Sequence, residues 1–403
     1  MVATKIVCIT MLIAVAEALG ADPGVTDKEI KIGNIMPYSG PASSYGTIGR
    51  GISAYFKKFN EEGGINGRKI NIISYDDGYS PPRAVEQARR LVEQDRVLFI
   101  FQSLGTASNS AIWKYMSDKQ VPQLFVASGA TKWGDPTGHP WTMGWQPTYQ
   151  TEAHIYAEYL LKNRPAAKIA VLYQNDDFGK DYLKGLRDGL GTAAAKMIIA
   201  EQSYEVSDPT VDSQMVNLKN SGADVFLNIS TPKFALQAIK KAADLGWKPL
   251  QILTNVATSL ATVMTPAGTD ASKGIISAFY LKDYDDPQWK DDPATRDWLA
   301  WMKKYYPDGN LHEQFNIYAY CVSQTLVQVL KQAGNNLSRA NVMKQAANLK
   351  DLTLPMLLPG IKINTGPNDF FPIEQERLAR FDGERWVLFG ELIDAGSNKL
   401  ARD

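Results

Sequence analysis

Short apolar segments alternate with amphipathic stretches along the first third of the chain, and this alternation predicts strands and helices in turn. Strands are expected at residues 30–36, 69–75, 97–101 and 123–126, and helices at 48–62, 83–94 and 106–118. Pro82 suits the first turn of the second helix, and turn residues at 63–67 separate the first helix from the second strand. Continuous apolar strands separated by helices are typical of a parallel sheet that helices cover on both faces.

The same alternation begins again after a loop rich in Gly, Pro and Trp at residues 129–147. Strands are expected at residues 168–173, 197–200, 224–229 and 251–254, and helices at 151–162, 180–190, 212–220 and 233–245. Two long helices, at about 291–306 and 315–334, and short strands within 360–392 complete the pattern. The sequence therefore predicts an α/β fold of two doubly wound, Rossmann-like lobes, whose strands present their carboxyl ends to a shared cleft.

The first residues are typical of a secretory signal peptide. Lys5 precedes an apolar run at residues 6–16, and small residues follow at Ala18 and Ala21. The run is too short to span a bilayer core of about 30 Å. We therefore predict that residues 1–21 are a cleaved signal peptide and that the mature protein is exported and soluble, the alternative being an ordinary buried first helix.

Composition narrows the classes of function. The chain has 43 Lys and Arg against 43 Asp and Glu, so it lacks the basic footprint that binding to nucleic acid or to an anionic membrane surface requires. Hydrophobic residues make up 44% of the chain and charged residues 21%, which indicates a packed globular protein. Outside the predicted signal peptide Cys321 is the one cysteine, so we expect no intramolecular disulfide and a buried, helical Cys321.

The motifs of common catalytic and cofactor sites are absent from the sequence. The three histidines are far apart, and there is no phosphate-binding loop, no dinucleotide fingerprint and no nucleophile elbow. Asp76-Asp77 and Asp176-Asp177 each follow a strand, and we interpret them as helix caps and loop ends rather than as catalytic pairs. The sequence therefore predicts a binding protein without metal or cofactor. A secreted enzyme is the alternative, and it would need a base and a nucleophile clustered in the cleft.

Several motifs resemble those of a known family. They are Ile32-Gly-Asn-Ile-Met-Pro-Tyr-Ser-Gly-Pro-Ala42, Gly63-Gly-Ile-Asn-Gly-Arg-Lys69, Asp76-Asp77 with Pro82, Asn175-Asp-Asp-Phe-Gly179, and Ala333-Gly with Leu337-Ser-Arg. In these motifs, and from about Thr26 to its end, the chain resembles the leucine/isoleucine/valine-binding family, the periplasmic solute receptors of ABC importers. The resemblance implies a type I periplasmic binding fold, with two lobes on a three-segment hinge that close over a small ligand. It places the first lobe at 26–147 plus 281–350 and the second at 148–280 plus 351–397.

The resemblance also implies a site for a ligand carboxylate at the start of a helix and on a neighbouring loop. These segments are Ser103 to Thr106 and Ala127 to Thr131. Backbone N–H groups at a helix N-terminus, together with threonine hydroxyls, bind an anion without a counter-cation. Thr106, Gly129 and Thr131 are the leading candidates, although Thr106 alone is equally compatible with a structural N-cap. The other predicted ligand-binding residues are Tyr45, Ser103, Ala130, Tyr149, Phe178, Ser230 and Val256.

The second lobe departs from the family pattern. Amino-acid-binding relatives carry an acidic residue after the last strand of that lobe, where it pairs with the ligand ammonium group. Here Val256 stands near that position, and residues 251–269 contain no acid. A buried ammonium group without a counter-charge is costly, so the sequence predicts a carboxylate ligand that lacks the α-ammonium group. Candidates for reading the far end of this ligand are Asn228, Ser230, Thr254 and Asn255.

Aromatic residues are frequent around the expected cleft, and they suit a flat, apolar ligand. They are Tyr38, Tyr45, Trp133, Trp141, Trp145, Tyr149 and Phe178. The hypothesis is a receptor that binds a benzoate- or hydroxycinnamate-like acid and acts as a monomer with an ABC permease in the inner membrane. A branched-chain or other neutral amino acid is the alternative ligand. A soluble sensor of the same fold is the alternative function.

Overall fold

A parallel five-stranded sheet organises the first part of the molecule. The computed structural model describes residues 22–395, so the predicted signal peptide and residues 396–397 of the predicted second lobe lie outside the described residues. The strands are β1 Glu29–Met36, β2 Lys69–Asp76, β3 Phe99–Phe101, β4 Gln123–Val126 and β5 Thr142–Gly144. Their order is β2-β1-β3-β4-β5, and all pairs are parallel. Three helices connect them: α1 Gly46–Glu61, α2 Pro81–Arg89 and α3 Thr106–Asp118.

A seven-stranded sheet organises the second part, in the order β12-β11-β10-β9-β8-β6-β7. Its parallel strands are β6 Ile169–Gln174, β7 Ile198–Tyr204, β8 Val225–Ile229, β9 Leu250–Leu253 and β10 Ile276–Phe279. The antiparallel strands β11 Gln375–Phe381 and β12 Trp386–Asp394 extend the β10 edge. The helices are α4 Tyr149–Asn163, α5 Asp177–Leu190, α6 Ala194–Met197, α7 Asp212–Asn220, α8 Pro232–Asp244, α9 Thr265–Ala267 and α10 Thr269–Ser272.

After β10 the chain returns to the first sheet. The helices α11 Pro293–Tyr305 and α12 Phe315–Ala333 pack on α1, where the ring of Tyr55 lies 6.5 Å from that of Trp301 and 5.3 Å from that of Tyr320. Helix α13, Arg339–Ala346, follows, and Arg339 donates to the carbonyl oxygens of Val97 and Leu98 beside the first sheet. The chain then crosses again to form β11. Three segments therefore connect the two parts.

The predicted fold class is confirmed by these two sheets and their mostly parallel strands. The predicted long helices are present at α11 and α12, and the predicted tail strands form the antiparallel edge. Strand β5 and helix α13 were not predicted, since three residues within a Gly/Pro/Trp loop and eight residues beside a turn carry little periodicity. We propose the lobe limits inferred from the sequence as working boundaries.

The acidic pairs and the cysteine have the structural roles that the sequence suggested. Asp176 caps α5 by accepting from the backbone N–H groups of Phe178 and Gly179. Buried Asp77 accepts from the N–H of Tyr79 and the hydroxyl of Ser108. Cys321 is buried in α12, and burial raises the pKa of its thiol, so it stays protonated. These groups are structural in this fold.

Candidate ligand-binding site

A cavity lies where the carboxyl ends of the two sheets meet, which is where ligands bind in open α/β sheets. Leu104 and Gly105 follow β3, and Ala127 follows β4, on the first side. Thr231 follows β8, and Val256 follows β9, on the second. The cavity contains about 760 Å³ of empty space, part of which is continuous with solvent.

The cavity wall is largely aromatic and apolar, because eight of its twenty residues are Tyr or Phe. The aromatic residues are Tyr45, Tyr79, Tyr149, Phe178, Phe279, Tyr280, Phe315 and Tyr318. The other residues are Ile48, Leu104, Gly105, Ala127, Gln146, Thr231, Asn255, Val256, Leu281, Lys282, Asp283 and Gln314. Rings contact one another across the wall: Tyr149 and Phe178 lie 5.1 Å apart, edge to face. Such a wall offers ring faces and edges to a flat ligand.

Hydroxyl groups converge on Tyr149 at the N-terminus of α3. The Oγ atoms of Thr106 and Ser128 lie 2.8 Å apart, and the Tyr149 hydroxyl lies next to both side chains. Burial raises the pKa of this phenol to about 12, although its bonds to Thr106, to Ser128 and to the backbone of Gly129 oppose the shift. The phenol is therefore neutral at physiological pH and remains a hydrogen-bond donor.

Two glycines permit close approaches that this arrangement needs. A Cβ on Gly129 would lie 2.7 Å from a ring carbon of Tyr149 and 2.7 Å from the carbonyl oxygen of Pro147. A Cβ on Gly105, whose φ is +98°, would lie 2.7 Å from the ring of Tyr79. Both aromatic rings line the cavity, so these glycines set the positions of its walls.

One hydrogen bond crosses directly from the first lobe to the second within the cavity wall. The hydroxyl of Tyr45, at the start of α1, donates to the carbonyl oxygen of Val256, after β9, at 2.8 Å. The Val256 loop is anchored from behind, because the N–H of Asn255 donates to the buried carboxylate of Glu152 at 2.8 Å. Glu152 also accepts from Tyr156 and Tyr182, and burial raises its pKa to about 7.

The segment that leaves β10 forms a third wall with different chemistry. Residues 279–283 all line the cavity, including a lysine and an aspartate. The ammonium group of Lys282 is paired with Asp292 and lies over the ring of Trp289. Burial raises the pKa of Asp283 to about 7, with Asp285 and Asp286 adding repulsion and His312 acting in the opposite direction.

Four of the ten predicted binding residues lie in the cavity wall: Tyr45, Tyr149, Phe178 and Val256. The other six do not line it. Ser103 donates to Asn109, and Thr131 donates to Asp181 through both its N–H and its hydroxyl. Thr106 and Gly129 lie directly behind Tyr149, while Ala130 and Ser230 are buried beside the wall-forming segments.

The remaining aromatic candidates support the wall or lie away from it. Trp145 is fully buried, donates to Thr325, and packs edge-on against Tyr318 at 5.1 Å behind the cavity. Trp133 donates to Ser128, and Tyr38 bonds Ser74 within the first lobe. Trp141 lines a separate surface groove beside α13. Of the four predicted far-end readers, Asn255 lies in the cavity wall, and Asn228, Ser230 and Thr254 do not.

Many residues of the cavity wall were not predicted from the sequence, because contacts between distant segments bring them there. The unpredicted residues are Ile48, Tyr79, Gln146, Gln314, Phe315, Tyr318 and the segment 279–283. A usable signal was the position of that segment directly after a strand of the second sheet, where its residues must reach the cleft. In the sequence, however, Lys282 and Asp283 resemble ordinary surface charges.

The part of the chain that the structure describes contains no group of three or more His, Cys, Asp or Glu side chains arranged to hold a metal ion. Within the same residues, no helix is both long enough and apolar enough to cross a membrane.

Comparison with known proteins identifies the class. The periplasmic binding protein family matches residues 29–385, so the chain belongs to this family. It is 27% identical over 285 residues to Leu/Ile/Val-binding protein homolog 7 of Brucella abortus (strain 2308), an alignment that covers 68% of this chain and 69% of the relative. The family resemblance inferred from the motifs is therefore confirmed.

Two solved structures with different ligands share the fold. A branched-chain amino acid ABC transporter protein from Thermus thermophilus with bound valine superposes with a TM-score of 0.81 and 17% identity, over 92% of this chain and 97% of that one. The solute-binding protein of an ABC transporter from R. palustris in complex with 4-hydroxybenzoate gives 0.77 and 16%, over 93% and 100%. At these identities the likeness concerns the fold alone.

Proposed function

We propose that this periplasmic binding protein is the receptor of an ABC importer and that its ligand is a small carboxylate without an α-ammonium group. The favoured class is an aromatic acid, either benzoate-like or hydroxycinnamate-like. The observation that carries this proposal is the cavity wall, in which Tyr and Phe supply eight of twenty residues. Aromatic rings in edge-to-face and offset contacts favour a flat ligand over a branched aliphatic one.

The proposed carboxylate position is the start of α3, in front of Tyr149. A neutral phenol donates a strong hydrogen bond to a carboxylate, and Thr106 and Ser128 hold the oxygen of Tyr149 in place. The N-terminus of a helix of 13 residues adds a favourable field for an anion. In this proposal Thr106 and Gly129 act through Tyr149 rather than by direct contact.

The proposed mechanism is closure of the two lobes on the ligand. The ligand contacts the first lobe at the start of α3 and the second lobe through Tyr149, Phe178 and Val256, so it favours the closed arrangement. The bond from Tyr45 to Val256 joins the lobes in that arrangement. An inner-membrane permease then recognises the closed monomer in the periplasm.

A panel of matched ligand pairs tests the proposal on the exported protein after it has been unfolded, freed of bound ligand and refolded. Benzoate against benzamide tests the carboxylate, and 3-phenylpropanoate against phenylalanine tests the α-ammonium group. A ligand at a thousand times its Kd stabilises the folded state by about 4 kcal/mol, which thermal unfolding detects easily. We expect binding of the acids and little binding of the amide or the amino acid. Stabilisation by phenylalanine or leucine alone would contradict the proposal.

The variant Tyr149→Phe tests the carboxylate position. Removing the hydroxyl should weaken benzoate binding about tenfold or more, since hydrogen bonds to charged groups contribute about 1.5–3 kcal/mol. Tyr318→Phe is the matched control, because the Tyr318 ring also lines the cavity while its hydroxyl contacts Gln102 and Gln146. Titration calorimetry should show the loss in the first variant only. Equal losses in both variants would place the carboxylate elsewhere.

The second candidate ligand is a neutral amino acid. It is favoured by the sequence likeness to Leu/Ile/Val-binding protein homologs. The absence of an acid from residues 251–269 weighs against it, whereas Asp283 in the cavity wall supplies a carboxylate that an ammonium group could meet. The pair 4-methylpentanoate and leucine separates the two candidates, because these ligands share an aliphatic skeleton and differ in the ammonium group.

A further inference from the structure

The crossing segment, residues 280–286 directly after β10, brings one incompletely bonded carboxylate to the cavity wall. Oδ1 of Asp283 accepts from the N–H of Asp285 at 3.0 Å. Oδ2 is buried and has no hydrogen-bond partner among residues 22–395. Of the twenty cavity-lining residues, Asp283 alone has a buried side-chain oxygen or nitrogen without a partner in the described part of the chain. Native proteins rarely leave such an atom unsatisfied, because it carries its full desolvation cost.

The charges around Asp283 are already engaged with other groups. Lys282 pairs with Asp292, and His312 pairs with Asp285 at 2.6 Å. No Lys, Arg or His nitrogen lies within 4.0 Å of the Asp283 carboxylate in the described residues. Asp283 lines the ligand cavity and also a small neighbouring cavity, which it shares with Trp289, whose buried Nε1 likewise has no partner among residues 22–395. Within these residues Asp283 is therefore an acceptor with one unsatisfied oxygen at the cavity wall.

We infer that Asp283 is a specificity-determining residue that accepts a hydrogen bond from a hydroxyl or amino group of the ligand. The inference rests on the proposed function, because it assigns a second subsite to the same cavity. Tyr149 offers a donor to the ligand carboxylate, whereas the ionised form of Asp283 repels a carboxylate and attracts a donor. The two subsites therefore orient a ligand that carries an acid group at one position and a hydrogen-bond donor at another.

Pairs of aromatic acids that differ by one donor group test this inference. Titration calorimetry at one fixed pH compares benzoate with 3-hydroxybenzoate, 4-hydroxybenzoate and 4-(aminomethyl)benzoate. At least one donor-bearing acid should bind about ten- to a hundredfold more tightly than benzoate, the range expected for a hydrogen bond to a charged group. Comparing the hydroxybenzoates with 4-(aminomethyl)benzoate shows whether Asp283 accepts from a hydroxyl group or from an amino group.

Substitution of the aspartate completes the test. In Asp283→Ala the preference for the donor-bearing acid over benzoate should fall below about threefold. Asp283→Asn removes the charge at nearly constant size and provides a second variant if the alanine protein does not fold. Asp286→Asn is the matched control, because Asp286 is buried in the same segment but does not line the cavity.

The outcomes separate the inference from the function on which it rests. Benzoate binding with an unchanged preference in Asp283→Ala would overturn the role of Asp283 and leave the proposed function intact. Binding of amino acids only, lost in Asp283→Ala and kept in Asp286→Asn, would overturn the proposed ligand class and support Asp283 as an acceptor. No binding of any acid or amino acid in the panel would contradict both.

Discussion

Two walls of the cavity differ in how completely their polar groups are bonded. On the first wall, at the start of α3, the hydroxyls of Thr106 and Ser128 bond each other and lie next to the hydroxyl of Tyr149. On the crossing segment one carboxylate oxygen of Asp283 is buried without a partner in the described residues. The hydrogen-bond donor of the first wall is thus positioned before a ligand binds. On the second wall, we expect the free oxygen of Asp283 to gain its hydrogen-bond partner only from a ligand. Affinity for a common acid group should depend on the first wall, and discrimination among acids on the second.

The largest effect is expected from Gly105→Ala, which breaks the first wall. The new Cβ would lie 2.7 Å from the Tyr79 ring, at a backbone φ of +98° that a side chain rarely adopts. Strain and steric conflict together should lower the free energy of unfolding by about 2–4 kcal/mol. Displacement of Tyr79 into the cavity should weaken every acid ligand more than about a hundredfold. Denaturant unfolding and titration calorimetry measure the two quantities.

Gly222→Ala separates strain from steric conflict. Gly222 also has a positive φ, +77°, but a Cβ there would meet nothing within 4 Å. This control should lose about 1 kcal/mol of stability and keep its ligand affinity. Wild-type ligand affinity in Gly105→Ala would show that the first wall adapts to the added Cβ. The proposed difference between a prepositioned first wall and a ligand-dependent second wall would then be wrong.

The next effect concerns Glu376, a buried carboxylate that no ligand can reach. It is fully buried on β11, both its oxygens lack a partner among the described residues, and it does not line the cavity. Burial, and then repulsion from Glu152, raise its pKa well above its ordinary value of 4.5. The folded state therefore keeps a proton that the unfolded state releases. This contribution to stability is full below about pH 4.5 and is lost as pH rises through the higher folded-state pKa.

Glu376→Gln should remove this dependence. Relative to the wild type, the variant should gain stability between pH 5 and pH 8, reaching about 1–3 kcal/mol at the upper end, the scale of an unpaired buried polar group. Thermal unfolding of both proteins across this range measures the gain, and titratable groups that do not interact with Glu376 cancel in the difference. Ligand preference should not change, in contrast to Asp283→Ala. Parallel stability curves would show that Glu376 carries no such proton.

The same contrast explains what the sequence could and could not predict. The sheets, most helices and the edge that carries the cavity follow from local apolar periodicity. Tyr149 and Val256 were found because they stand next to strand ends or motifs that a single sequence displays. Asp283 and Tyr318 enter the wall only because the chain returns from the second sheet to the first, so their role depends on packing between distant segments. A short element such as β5 leaves too few residues for any periodicity to appear.

The smallest effect is expected at one of the hydrogen bonds between the lobes, that from Tyr45 to Val256. Tyr45→Phe removes the donor to the Val256 carbonyl oxygen, a bond of 2.8 Å, and keeps the ring that packs on Phe315 at 5.2 Å. Because the bond belongs to neither ligand subsite, its loss should act on the closure equilibrium alone. A net contribution of about 0.5–1.5 kcal/mol corresponds to an affinity loss of about two- to tenfold. This loss should be equal for benzoate and for its hydroxylated forms.

Tyr38→Phe is the matched control for closure, because the Tyr38 hydroxyl bonds Ser74 within the first lobe at 2.6 Å. Titration calorimetry of both variants should show weaker binding in Tyr45→Phe only. Small-angle scattering of the ligand-free proteins should show a larger radius of gyration for the same variant if the bond holds the lobes together. A change in the ratio of Kd values between benzoate and hydroxybenzoates would instead mean that Tyr45 contacts the ligand, which would move discrimination from Asp283 to Tyr45.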